Sequence, residues 1–275
     1  MVVSKLKALV PAAAEPTVIK TWYIFRPLVR LFFFGRQRYC CVCNSWSRFF
    51  LAQGPASRRR QNIVCPVCLS HDRHRLAWLY LSSRTNLTDS TPKKLLHFAP
   101  ETVFTEKFKR IPGVDYLSAD LNSPHAMVKM DITDIQNPDS TFDIIYCSHV
   151  LEHVPDDHKA MEEIFRTLKP GGWALIQVPI SKENTIEDLS ITDPAERERL
   201  YWQDDHVRLY GLDIKERLTK AGFDVEVIFG EQLVESEEMK LMRFDPGEPL
   251  FYCKKTMTSS RLEKLSAFSG QELSG

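Results

Sequence analysis

A chain of 275 residues is long enough for one large domain or for a domain with an added module. Its hydrophobic (43%) and charged (26%) fractions exclude wholesale disorder and collagen-like structure, and no run reaches the roughly 18 uninterrupted apolar residues of a membrane span. The formal net charge is zero, yet residues 1–90 hold 14 Lys and Arg against 3 Asp and Glu, whereas residues 91–275 hold 22 against 33.

Residues 1–37 read as a basic and aromatic lead-in. The first twenty are rich in Ala, Pro and Lys and carry no pattern, and no apolar run followed by an Ala-x-Ala site marks a secretory signal. Seven cysteines are too few and too unevenly placed for a disulfide scaffold, so a reducing, cytoplasmic setting is expected. Residues 21–35 combine Trp22, Tyr23 and Phe32 to Phe34 with Arg26 and Arg30. They are too short to span a bilayer. They read either as a short element docked on the next module or as a segment lying on a membrane surface, arginines outward.

Residues 38–90 hold the pairs Cys40-Cys-Val-Cys43 and Cys65-Pro-Val-Cys68, separated by 21 residues, and then a helix over 71–83. Each Cys-x-x-Cys turn presents two thiolates to one ion, and four thiolates complete a tetrahedron around zinc. The spacing predicts a zinc ribbon with Cys40, Cys43, Cys65 and Cys68 as ligands and Cys41 outside the set. His71 and His74 are the alternative ligands. Four thiolates leave no open position, so this zinc is expected to be structural. Arg36, Arg38, Arg48, Arg58 to Arg60, Arg73 and Arg75 surround the cysteines. They can track a phosphate backbone such as RNA, or they can pair with the chain's own acidic second half.

From residue 91 the text alternates short apolar runs with amphipathic segments. Strands are predicted at 94–98, 114–120, 126–131, 142–148 and 173–180, with a helix at 159–168 ended by Pro170-Gly171-Gly172. The pattern means βαβ units and a mainly parallel sheet. A helix at 211–221 and strands at 223–229 and 250–254 follow, the last two with no helix between them, which predicts an antiparallel hairpin closing the sheet. Residues 257–275 are Ser-rich and read as a disordered tail.

Two stretches carry a resemblance: Ser140-Thr-Phe-Asp-Ile-Ile-Tyr-Cys-Ser-His-Val-Leu-Glu-His-Val-Pro-Asp156 and Leu168-Lys-Pro-Gly-Gly-Trp-Ala-Leu-Ile176. They resemble the fourth strand with its turn, and the entry into the fifth strand, of class I S-adenosylmethionine-dependent methyltransferases. The likeness runs over about 95–255. The whole chain also resembles bacterial proteins that pair a Cys-Pro-x-Cys ribbon with a strand reading Leu-Leu-His-Phe-Ala-Pro-Glu. The fold implied is an α/β, Rossmann-like seven-stranded methyltransferase sheet over 91–256, with the N-terminal zinc-ribbon module before it.

The resemblance implies S-adenosylmethionine as cofactor, with Asp120 on the ribose and Asp131 beside the adenine amino group. Either aspartate can instead cap its following turn. Ser148 and His149 fall beside the methyl donor. The family's first loop is glycine-rich, but Leu96-His-Phe-Ala-Pro-Glu-Thr-Val103 has no glycine. S-adenosylmethionine carries no phosphate, so the small Ala99 and the turn-fixing Pro100 are expected to leave room for it. Glu101 is a partner for its ammonium, and His97 completes the expected cofactor set. His149, Glu152, His153 and His206 are the candidate acid–base residues, and Asp204 to Gly211 the candidate acceptor segment. The implied activity is methyl transfer to a small-molecule, glycan or lipid-linked acceptor. RNA methylation through the basic ribbon, and a non-catalytic binding protein, are the alternatives.

Overall fold

The computed structural model describes residues 22, 24–54 and 59–256. The lead-in before residue 21 and the tail from 257 lie outside them. By packing, the described residues up to 89 join with 229–248 in one unit, and residues 90–228 join with 249–256 in a second. Among the described residues no helix is long and apolar enough to cross a membrane.

The first unit begins with helix α1, Arg26–Phe32, which buries none of its own residues. Polar contacts hold it on the cysteine-bearing turns: Arg26 Nε donates to the Val67 carbonyl at 3.1 Å and Arg30 to that of Cys43 at 3.0 Å. Strands β1 (Arg38–Cys40) and β2 (Ser45–Ser47) form one antiparallel hairpin, and β3 (Leu51–Gln53) and β4 (Arg60–Val64) a second. Helix α2, Asp72–Arg84, buries Leu76, Ala77, Tyr80 and Leu81 along one stripe, the i, i+1, i+4, i+5 spacing of a helix face. The helix Ser236–Met242 packs on β1. No helix is expected there from the sequence, whose pattern gives 229–248 to the other half of the chain.

Two arginines bind this unit. Arg75 is fully buried beneath the Phe50 ring and donates to the carbonyls of Met242 (2.6 Å), Ser70 (2.9 Å) and Ile63 (3.0 Å). Arg60 pairs with Asp72, with Asp245 at 2.7 Å and with Glu248 at 3.5 Å. Two of the three acidic partners of Arg60 therefore come from the second half of the chain, through the segment that returns to this unit.

The second unit is an α/β layer built on β5 (Lys93–Phe98), helix α3 (Thr102–Phe108), β6 (Val114–Asp120), β7 (Val128–Lys129), β8 (Phe142–Ser148), helix α4 (Asp157–Thr167) and β9 (Leu168–Gln177). Then come the small strands β10 (Ile180–Lys182) and β11 (Ile186–Glu187), helix α5 (Pro194–Tyr201) and β12 (Arg208–Gly211), which lies between β10 and β11 in a separate sheet. Helix α6 (Ile214–Lys220), β13 (Asp224–Ile228) and β14 (Leu250–Lys254) complete it. The large sheet has seven strands in the order β13-β14-β9-β8-β5-β6-β7. β7, β6, β5, β8 and β9 run parallel, and β14 pairs antiparallel with both β9 and β13.

The hairpin expected at the end of the sheet is present. The strand expected at 126–131 shrinks to two residues at the edge. The Pro-Gly-Gly expected to close the helix lies inside β9, because α4 already ends at Thr167 and Leu168 pairs with Phe142. The ladder is irregular there. Gly171 is left-handed (φ +82°), and a Cβ on Gly172 would meet the Asp143 carbonyl oxygen at 2.8 Å, so two strands approach where only glycine fits. Leu96, Ile145, Cys147, Ala174 and Ile176 in the sheet pack on Met161 and Ile164 of α4 to form the core.

Candidate active site

Strand order reverses between β5 and β8. From β5 the chain proceeds to β6 and β7 on one side, and from β8 to β9 on the other. Connections that leave a sheet in opposite directions open a crevice at the carboxyl ends of the strands. A cleft of about 470 Å³ lies there, bordered by Ala99 after β5, Asp120 at the end of β6 and His149 after β8. Asn122, Asp131, His153 and Asp205 add its other charged or polar groups, and Phe98, Leu121, Met130, Ile132, Val150 and Val154 its apolar walls.

Two strand ends turn left-handed without glycine: Ala99 has φ +47° and His149 φ +53°. Each costs about 1–2 kcal/mol for an L-residue. Backbone bonds fix both, Ala99 N–H to the Ala119 carbonyl and His149 N–H to the Gln177 carbonyl, each at 2.9 Å. The first loop therefore reaches with alanine the backbone shape that glycine adopts freely. Asp120 Oδ1 accepts the amides of Asn122 (2.7 Å) and Ser123 (2.6 Å). Asp131 Oδ1 accepts both the amide and the hydroxyl of Thr133 at 2.8 Å. Both aspartates thus cap their turns and border the cleft.

The remaining expected cofactor residues divide. His97 does not line the cleft: it is fully buried, with Nδ1 3.0 Å from the Tyr116 hydroxyl and its ring against Phe108 and Tyr146. As the fifth residue of β5 it follows the side-chain alternation of the strand into the core. Ser148 is buried with Oγ 3.5 Å from Gln177 Oε1, and Glu101 is the N-cap residue of α3. Neither borders the cleft.

The candidate acid–base residues gather behind and beside His149. Its Nδ1 lies 3.1 Å from Oε1 of Glu152, which is almost fully buried. Burial alone would raise the Glu152 carboxyl, but the neighbouring His149 and His153 imidazoles outweigh it and hold it below the usual carboxylate value. His153 borders the cleft with Nδ1 3.2 Å from Asp205 Oδ2. His206 is buried edge-on to the His153 ring at 4.7 Å, with Nδ1 2.8 Å from the Tyr201 carbonyl. Burial pushes its imidazole below the usual value.

The segment 204–211 contributes Asp205 to the cleft, but its later polar residues serve packing. Arg208 is fully buried. It donates to the carbonyls of Leu151 (2.9 Å), Val154 and Pro155 (2.8 Å) and to Glu187 at 2.8 Å. Tyr210 donates to Asp157 at 2.6 Å, and Arg217 pairs with Asp157 at 2.9 Å and Glu187 at 2.8 Å. This network fixes the turn that carries Glu152 and His153. The apolar walls Leu121, Met130 and Ile132 are not singled out by the sequence. Their signal is adjacency to Asp120 and Asp131.

In the first unit, ligand atoms of Cys40, Cys43, Cys65 and Cys68 all lie within 4.8 Å of one another. Cys40 and Cys68 sulfurs are 3.6 Å apart, and those of Cys43 and Cys65 3.8 Å. Four sulfurs at ~2.3 Å from a zinc ion form a tetrahedron with edges of about 3.8 Å, so the set fits that ion. Ser70 Oγ stands 3.1 Å from Cys40 Sγ and 3.2 Å from Cys68 Sγ. Cys41 faces away to the Arg75 carbonyl at 3.3 Å, and burial first, then Cys40, pushes its thiol up to about 12. His74 Nδ1 accepts the His71 amide at the start of α2, and neither histidine joins the cysteines.

A seven-stranded α/β sheet with a polar cleft at its switch point belongs to the Rossmann-like class of folds. Residues 71–227 match the family model described as methyltransferase domain, and the chain belongs to that family. Among curated relatives, it is 32% identical over 104 residues to a sterol 24-C-methyltransferase of Eremothecium gossypii, covering 36% of this chain and 27% of that protein. It is 30% identical over 135 residues to a probable S-adenosylmethionine-dependent methyltransferase of Mycolicibacterium smegmatis, covering 44% and 46%. The match thus spans less than half the length of either relative. Among solved structures, the [4+2]-cyclase SpnF aligns with a TM-score of 0.51 at 14% identity, covering 88% of this chain and 96% of that one. That likeness concerns the fold alone.

Proposed function

We propose that this chain is an S-adenosylmethionine-dependent methyltransferase acting on a small-molecule acceptor, with a structural zinc in its cysteine unit. One observation carries the reading: the left-handed turn at Ala99, the carboxylate of Asp120 and the turn at His149 meet around one cleft at the switch point. The residues fit the cofactor. It has no phosphate, so it needs room at the end of β5 rather than a nest of amides, and Ala99 leaves that room. With Oδ1 of Asp120 engaged by two amides, Oδ2 is the oxygen for the ribose hydroxyls. Asp131 would take the adenine amino group, with Leu121 and Ile132 flanking the base. When bound, S-adenosylmethionine supplies a methyl carbon activated by its sulfonium. The work left to the chain is to hold an acceptor atom in line with that carbon at ~3–3.5 Å. His149 and His153 are the imidazoles on the cleft wall suited to hold an acceptor hydroxyl or amine.

The names of the relatives point to a small molecule, and the arginines favour it over RNA. Arg26, Arg30, Arg60 and Arg75 are all engaged inside the first unit, which leaves fewer charges for a phosphate backbone. Calorimetric titration with S-adenosylhomocysteine tests the cofactor assignment. Asp120→Asn keeps an acceptor for the two turn amides but loses the charge. It is expected to weaken binding by about 1–2 kcal/mol, roughly 5- to 30-fold. Unchanged affinity would remove Asp120 from the site, and absence of binding to the unmodified chain would overturn the reading.

A further inference from the structure

Glu152, His153 and His206 each offer one ligand atom within 4.8 Å of the other two. Two of the atoms belong to adjacent residues of one turn, which the Arg208 network fixes, and the third comes from a distant stretch of chain. What each atom already does is informative. His206 Nδ1 meets a carbonyl oxygen, an acceptor only, so that nitrogen bears the hydrogen. Its Nε2 is buried with no hydrogen-bond partner. His153 Nδ1 faces the Asp205 carboxylate in the same manner, which leaves its Nε2 as the lone pair. Both oxygens of Glu152 are buried and lack an aligned donor, although His149 Nδ1 stands 3.1 Å from one of them.

Three acceptors therefore stand close together, those of Glu152 and His206 buried and that of His153 at the cleft edge, with His149 Nδ1 beside one Glu152 oxygen. Such a set is repulsive unless a cation lies between its members. The two imidazoles also carry the outer-shell pattern of metal-bound histidine, one ring N–H held by a backbone carbonyl and the other by a carboxylate.

We propose that Glu152, His153 and His206 form a binding site for a divalent first-row transition metal on the wall of the cleft, separate from the cysteine site. Two imidazoles and one carboxylate suit zinc, manganese or ferrous iron, and three protein ligands leave a coordination position open. His153 borders the cleft, so that position is available to an oxygen of a molecule bound there. The role that follows is to seat an acceptor bearing a hydroxyl or carboxylate, with its oxygen on the metal. The site stands apart from the cofactor assignment, because metal uptake is measured without S-adenosylhomocysteine.

Cobalt(II) is the probe. The untagged full-length chain, as purified, is equilibrated with cobalt(II), and its metal content and visible absorption are recorded. The expected result is one equivalent of cobalt per chain, with weak d–d bands and no thiolate-to-cobalt charge transfer, while the cysteine-bound metal stays in place. Glu152→Gln and His153→Ala are each expected to lower cobalt affinity at least about tenfold with the circular dichroism spectrum unchanged. His153 is partly exposed, so His153→Ala decides the matter if Glu152→Gln does not fold. No cobalt uptake by the unmodified chain would mean that a proton reconciles the three acceptors, and the proposal falls. It falls equally if the cobalt shows thiolate charge transfer or if both variants bind it unchanged.

Discussion

At the end of β5 the backbone turns left-handed on an alanine, and the conformation itself has an energetic cost. Ala99 sits at φ +47°, where an L-residue is ~1–2 kcal/mol above its best state. Glycine would remove that strain but would bring a looser unfolded chain, worth ~0.4–1 kcal/mol the other way. Ala99→Gly is therefore expected to stabilise the fold by about 0.5–1 kcal/mol, read as a higher urea midpoint with unchanged slope. Ala99→Val should move the midpoint down, because a β-branched residue is a far worse occupant of this region. If glycine destabilises the chain and valine does not, the turn at residue 99 is not the strained element described above.

Between strands and site stands the Arg208 network, and its strength can be measured. One guanidinium joins three carbonyls of the turn 151–155 to Glu187. Arg208→Met leaves those buried carbonyls without their donor and Glu187 with Arg217 alone, a loss of about 3–5 kcal/mol by analogy with broken buried charge pairs. Arg208→Lys restores the charge but not the planar fork, so it should recover only a small part. Urea unfolding of the two variants gives the comparison, and near-full rescue by lysine would mean that charge rather than geometry holds the turn. The same network explains what the sequence could and could not convey. Val114–Asp120, Phe142–Ser148 and Leu250–Lys254 are legible to the residue, since buried β-rich runs bounded by polar residues signal strands locally. Helix α5 carries its start signal in the sequence: Asp193 caps it by accepting the Glu196 amide, and Pro194 opens it. The helix Ser236–Met242 buries only Met242, so its pattern is faint and its existence depends on packing. Within 204–211 the sequence cannot tell the buried clamp of Arg208 from a group such as Asp205 that borders the cleft. The resemblance picks out Asp120 and Asp131 by position, and the sequence sets Glu152 beside His153, whereas the approach of His206 to that pair is purely tertiary.

Over the molecule as a whole, the two packing units are interleaved in sequence, since 229–248 leaves the α/β unit to join the cysteine unit. Two arginines hold that return segment: Arg75 through the Met242 carbonyl and Arg60 through Asp245 and Glu248. Arg75 also holds the Ser70 and Ile63 carbonyls beside Cys65 and Cys68. The cysteine site and the return segment are therefore joined through one buried guanidinium. A structural zinc contributes ~10–16 kcal/mol in small metal-dependent folds, more than a unit with so little core of its own can lose. Cys65→Ser is thus expected to purify with well under one equivalent of zinc. Hydrogen exchange should then quicken not only across 38–75 but also across 229–248, while Phe142–Ser148 in the sheet keeps its protection. Cys41→Ser should retain zinc and leave both segments protected, because its sulfur faces the Arg75 carbonyl rather than the other four. Zinc retained in both variants would refute the ligand assignment. Zinc lost from Cys65→Ser with 229–248 still protected would show that the return segment is held by its ion pairs alone.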